Sequence, residues 1–170
     1  MKIRVLIQVV LITLAIHSTG YANGNDKTLW GQAEYGMTPA QVLKVFPDAQ
    51  KNPKPKTSPR NNSHSHVIIP TKNIHGVFFK VSFSFSSTGL TKVTLHSSHS
   101  SRRISDLMES LLCERYGTPS QIDDYEMKRQ IDWYESPVSI QLSYYRDGVS
   151  GHPSLFIIYD HFRYDAVNSQ

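Results

Sequence analysis

The stretch GVFFKVSFSF, residues 76–85, constrains the fold more than any other part of this chain. Val77, Phe79, Val81, Phe83 and Phe85 alternate with Phe78, Lys80, Ser82 and Ser84. A strict period of two is the mark of a strand that buries one face and wets the other. Such a strand cannot hide an aromatic row by itself, so neighbouring strands and a covering layer are required. GLTKVTLHSS follows across SSTG, which predicts a hairpin turn between antiparallel strands, and HVIIP precedes as a shorter extended segment.

The covering layer is also written in the chain. In EYGMTPAQVLKVFPDAQ, residues 34–50, Thr38 suits a helix N-cap, Pro39 the first helical position, and Gln41 closes a capping box. Met37 and Val42 stand at staple positions, Val42, Leu43 and Phe46 make an apolar stripe two turns long, and Pro47 ends it. ISDLMESLLCERYGTPSQ predicts a second helix with Ile104, Leu107, Met108, Leu111 and Arg115 on its packing side and Leu112 and Tyr116 at the edge. Gly117 and Pro119 stop it. Cys113 falls roughly opposite Ile104, Leu107 and Leu111 on that wheel.

KRQIDWYE, VSIQLSYYR and SLFIIYDHF then read as three strands with turns at SP and DGVSGHP. The order is a helix and three strands, twice. The fold class expected is α+β, built as tandem helix-strand-strand-strand units with two short helices packed on one face of an antiparallel sheet. The units, 23–100 and 101–170, are expected to share one globular domain. QKNPKPKTSPRNNSHSH, after the first helix, carries prolines and bases without an acid and reads as an exposed loop.

Residues 1–22 stand apart as an expected signal peptide. MKIR is a basic start, VLIQVVLITLAI is an apolar run, and Gly20 and Ala22 are small residues placed for cleavage after Ala22. That apolar run is well short of the ~20 residues a spanning helix needs. No comparable run follows, so no transmembrane segment is expected in the mature chain, which is placed in the bacterial periplasm or secreted. Loss of Lys2 and Arg4 takes the 18 Lys+Arg to 16 against 14 Asp+Glu, a net charge of +2. So small an excess argues against a nucleic-acid partner, which demands a clustered basic face. Cys113 is the one cysteine, so no intramolecular disulfide is available; it is expected either to be covered or to pair between molecules, and a homodimer stays open.

Catalytic chemistry finds little footing in these residues. No serine lies in a GxSxG elbow, and Asp123, Asp124, Asp132 and Glu135 form no pair spaced for acid-base work. His64 with His66, and His96 with His99, lack a third ordered ligand, since the first pair falls in the expected loop and the second at a strand end. No catalytic residue, cofactor or metal site is assigned, and the protein is read as a non-enzyme. Trp30 and Trp133 read as packing residues.

What remains is the sheet face turned away from the helices. Phe78, Lys80 and Ser82, joined by His96, Tyr134, Gln141, Ser143 and Tyr145, with Ser84 and Thr94, are expected to look outward there. Aromatic rings among short hydroxyl side chains bury area at small entropic cost and suit protein recognition.

The pattern Gly36, Met37, Thr38, Gln41, Val42 and Pro47 resembles the motif that opens small exported bacterial domains of the β-lactamase-inhibitor-protein type, and also those of the outer-membrane-assembly lipoprotein type. The resemblance implies helices against a multi-stranded antiparallel sheet and, for the inhibitor type, a tandem repeat whose concave face grips an enzyme. This chain departs from the lipoprotein type in having Ala22 and Asn23 in place of a cysteine at the mature start, and from the inhibitor type in its single cysteine. The expected function is an inhibitor, immunity or adaptor module that docks another exported or envelope protein on the sheet. A structural part in envelope or secretion-machinery assembly is the alternative, and a hydrolase with an unrecognised site is the third reading.

Overall fold

A computed structural model describes residues 27–55, 57–58, 63–98, 100–147 and 151–161. The expected signal peptide and His99 lie outside the described residues. In chain order the elements are β1 (Thr28–Trp30), β2 (Ala33–Glu34), α1 (Pro39–Val45), β3 (Gln50–Lys51), β4 (Thr57–Ser58), β5 (Ser63–Ile74), β6 (Val77–Ser86) and β7 (Gly89–Ser97). They continue with α2 (Arg102–Tyr116), β8 (Gln121–Asp124), β9 (Lys128–Glu135), β10 (Val138–Tyr145) and β11 (Ser154–His161). The fold is α+β, with both helices packed against one large antiparallel sheet.

That sheet runs β3-β5-β6-β7-β11-β10-β9-β8, with β4 also paired to β5. α1 is followed by two short strands, β3 and β4, and α2 by one, β8; a meander of three longer strands then follows each, and the two meanders meet through their last strands. At this join Thr94 of β7 lies opposite Ile158 of β11, and His96 opposite Phe156.

The alternation that opened the sequence reading has its physical outcome here. Phe79, Val81 and Phe83 are at most 1% exposed, whereas Lys80 faces solvent. One apolar cluster unites this row with Val93 and Leu95 of β7, Ile140 and Leu142 of β10, and Leu155 and Ile157 of β11. Val42 and Phe46 at α1, and Met108 and Leu112 on α2, close it from above. Each such side chain contributes about 1.5–3 kcal/mol by leaving water.

The capping box forms as the sequence predicts: the Gln41 amide donates to Thr38 Oγ1 (3.3 Å) and the Thr38 amide to Gln41 Oε1 (2.8 Å). Gly36 has a different task. Its amide donates to the Leu90 carbonyl (2.9 Å), and the Leu90 amide to the Met37 carbonyl (2.8 Å), which pins the helix entry to the start of β7.

Several elements depart from the sequence expectation. The basic, proline-containing stretch after α1 holds β3, β4 and the beginning of β5, so His64 and His66 lie on a strand, not a loop. HVIIP is only the middle of β5, which passes Pro70 by a register shift between Ile69 and Lys72. A bulge is where a strand tolerates a residue with no amide hydrogen. His75 and Gly76, at φ 49° and 82°, then make the tight turn into β6. The β1–β2 hairpin was not anticipated; it buries Leu29 and Ala33 and stacks Trp30 on Phe46 at 5.6 Å.

α2 is turned from its expected setting. Ser105, Met108 and Leu112 are buried, Ile104, Leu111, Cys113 and Tyr116 are half-buried, and Leu107 is 41% exposed. At 3.6 residues per turn the buried stripe is rotated by roughly 80° from the one expected through Ile104, Leu107, Met108, Leu111 and Arg115, with Met108 common to both. Arg129 of β9 supplies the reason: its guanidinium pairs with Glu109 of α2 at 3.0 Å and with Asp124 of β8 at 2.9 Å. Turning Glu109 to this pair turns Leu107 outward, and the small Ser105 lets the helix lie close to the sheet.

Candidate functional site

Because both helices cover the same side of the sheet, the other side is left to its own side chains. Register arranges them in rows that cross the strands. One row runs Lys80, His96, Phe156, Ser143, Gln130, Asp123, and the next runs Ile68, Ser82, Thr94, Ile158, Gln141, Asp132, Gln121. A third carries Ser84, Lys92, Asp160, Ser139 and Tyr134.

Every sequence-predicted contact residue falls on this side, in different circumstances. Phe78 is 61% exposed and Tyr134 is 55% exposed. They occupy opposite corners, four inter-strand steps of about 4.8 Å and six residues of about 3.4 Å apart, hence roughly 28 Å. Lys80 is exposed, and Ser82 is half-buried between Ile68 and Thr94. His96 lies flat on Phe156, ring centres 4.3 Å apart and planes at 8°. Tyr145 meets Phe156 edge-on at 5.7 Å, with the Lys128 ammonium 5.4 Å from its own ring centre. Gln141 donates to Asp132 Oδ1 at 2.9 Å. Ser143 corrects the expectation: only 2% of it is exposed, enclosed among longer neighbours, so it offers a partner no contact.

Phe156, Ile158, Gln130 and Asp132 are among the residues of this side that the sequence did not place there. A signal for the first two existed, because LFIIY in β11 is apolar at consecutive positions, the pattern of a strand packed on both faces. Asp132 gave none. It is 5% exposed and accepts a second amide bond from Gln130 at 2.8 Å, while Gln130 accepts from Lys128 at 2.5 Å. Partial burial first, then the Asp132 and Asp123 carboxylates, push the Tyr134 phenol above its ordinary range.

On the helix side near the α1 start, a cleft of about 450 Å³ is lined by Thr38, Pro39, His64, His66, Phe85, Ser86, Ser87 and Gly89. The two imidazoles stand 5.4 Å apart, centre to centre. Among the described residues, no group of three or more His, Cys, Asp or Glu side chains is arranged to hold a metal ion, and no helix is long and apolar enough to cross a membrane. Burial and the neighbouring Glu109 raise the Cys113 thiol, which favours its protonated form. No protein-family model, curated protein or solved structure matches this chain.

Proposed function

We propose that this is an exported protein-binding module of the inhibitor, immunity or adaptor kind, and that it docks another envelope or secreted protein on the helix-free side of its sheet. The observation that carries the reading is the one-sidedness of the fold. Helices α1 and α2 join the core of one side alone, while the other side offers Tyr134 and Phe78 at its corners and a hydrogen-bonded polar lattice between them. From β5 to β8 this side spans about 29 Å by about 20 Å at ordinary strand spacings. That is roughly 580 Å², about three quarters of the ~800 Å² one partner gives to a standard interface, so the adjoining loops complete the footprint. The leader-like segment 1–22 and the likeness of the Gly36–Pro47 motif to exported inhibitor and assembly domains support the same reading.

Asp123, half-exposed near Tyr134, favours a partner with basic side chains, since the Tyr ring and the carboxylate both attract cations. Photo-crosslinking groups at Phe78, Gln141 and Tyr134, with controls at Leu107 and Glu114 on α2, test this in an envelope extract. One shared adduct from the sheet positions and none from the helix positions is expected. Equal labelling from both sides would overturn the reading. With that partner in hand, Tyr134→Ala is expected to weaken binding by about 2 kcal/mol, roughly thirtyfold, at an unchanged unfolding midpoint.

A further inference from the structure

We propose that His64 and His66 form a two-imidazole site for zinc or a similar divalent transition-metal ion, in the cleft between the amino-terminal end of α1 and the β6–β7 turn. This goes beyond the docking reading and does not depend on it.

Three observations converge on the pair. First, the histidines belong to a strand held from two sides: His64 pairs with Thr57 of β4 and with Phe85 of β6, so the backbone bearing them is fixed before any ion arrives. Second, the spacing of the rings fits chelation. A zinc–nitrogen bond of about 2.05 Å puts each imidazole centre about 3.2 Å from the metal. With a nitrogen of each ring turned to one ion, centres 5.4 Å apart subtend roughly 115° at it, near the tetrahedral angle. Third, both histidines line a cleft of about 450 Å³, which leaves room for the remaining ligands of the ion.

The other lining side chains suit that task. Thr38, Ser86 and Ser87 bring hydroxyls that can hold metal-bound water, and Phe85 walls one side. Two protein ligands leave two positions open, so the site binds reversibly and can accept a donor group from a second molecule. A closed structural zinc site uses four protein ligands, and this one does not complete that set.

Zinc titration of the purified protein, followed calorimetrically, tests the proposal, with Co²⁺ as the spectroscopic substitute. One equivalent is expected to bind, and Co²⁺ is expected to show the intense visible bands of a four-coordinate ion. His64→Asn and His66→Asn should each weaken binding by about tenfold or more, at least the loss that follows removal of a metal's outer partners. His75→Asn and His152→Asn, on distant turns, should leave it unchanged. The exposed position of His66 lets its variant fold even if His64→Asn does not. Absence of a saturable heat, or binding in the double variant equal to that of the parent, would overturn the site.

Discussion

At the scale of single residues, the close approach of Gly36 and Gly89 ties the helix-capping segment to the sheet. Gly89 adopts φ +101°, and a Cβ placed there would sit 2.3 Å from the Gly36 carbonyl oxygen, a backbone atom that cannot step aside. Gly89→Ala is therefore expected to cost at least about 3 kcal/mol, as strain and clash add. Gly76 is the matched control: its φ is also positive, +82°, but nothing lies within 4 Å of the added carbon. Gly76→Ala should cost only about 1–2 kcal/mol, the price of the left-handed backbone. Urea unfolding of both variants separates the terms, and equal losses would show that contact with Gly36 contributes nothing.

At the scale of elements, ionic contacts between α2 and the β8–β9 hairpin fix how that helix is rolled. Arg129 lies between Glu109 and Asp124, and Arg146 binds Asp124 and donates to the carbonyls of Tyr125 and Glu126. Hydrogen bonds from Arg146 and then Arg129 hold the Asp124 carboxyl below its usual range. A depressed folded-state value means that the unfolded chain takes up this proton first as pH falls. The stabilisation is therefore complete above the unfolded value of about 3.9 and is lost as pH drops through the lower folded value. Asp124→Asn should reduce stability at neutral pH and flatten the decline of the unfolding midpoint between about pH 5 and pH 2. A decline as steep as the parent's would remove Asp124 from the account. The same contacts explain why Leu107 is exposed: apolar spacing alone favours one roll of α2, and a partner two strands later in the chain imposes another.

For the whole molecule, the decisive feature is the antiparallel join of β7 to β11. It makes one sheet and one apolar cluster from two helix-and-strand groups, so neither group has a core of its own. Unfolding is expected to be a single cooperative transition. The two tryptophans allow a direct check, because Trp30 stacks on Phe46 in the first group while Trp133 is buried in the second. Trp30→Phe and Trp133→Phe, each leaving one reporter, should give coincident transitions. Phe83→Ala should lower both by about 3–5 kcal/mol, though Phe83 belongs to the first group alone. Separate transitions would mean two independently stable halves.

Local chemistry was enough for the sequence to determine the α1 cap, the alternation of β6, the longer strands of the second half and the overall α+β class. A capping box spans three residues and an alternating row needs only its own strand, so both are written in adjacent positions. Residues far apart in the chain decided the rest. The bulge at Pro70 is tolerable because the pairing register shifts there, the roll of α2 follows from Arg129, and the ring separation of His64 and His66 follows from a strand that the local composition disguises as loop. Ser143 lost its place on the candidate surface for the same reason: alternation assigns a side chain to a face of the sheet, but only the neighbours brought up by pairing decide whether water still reaches it.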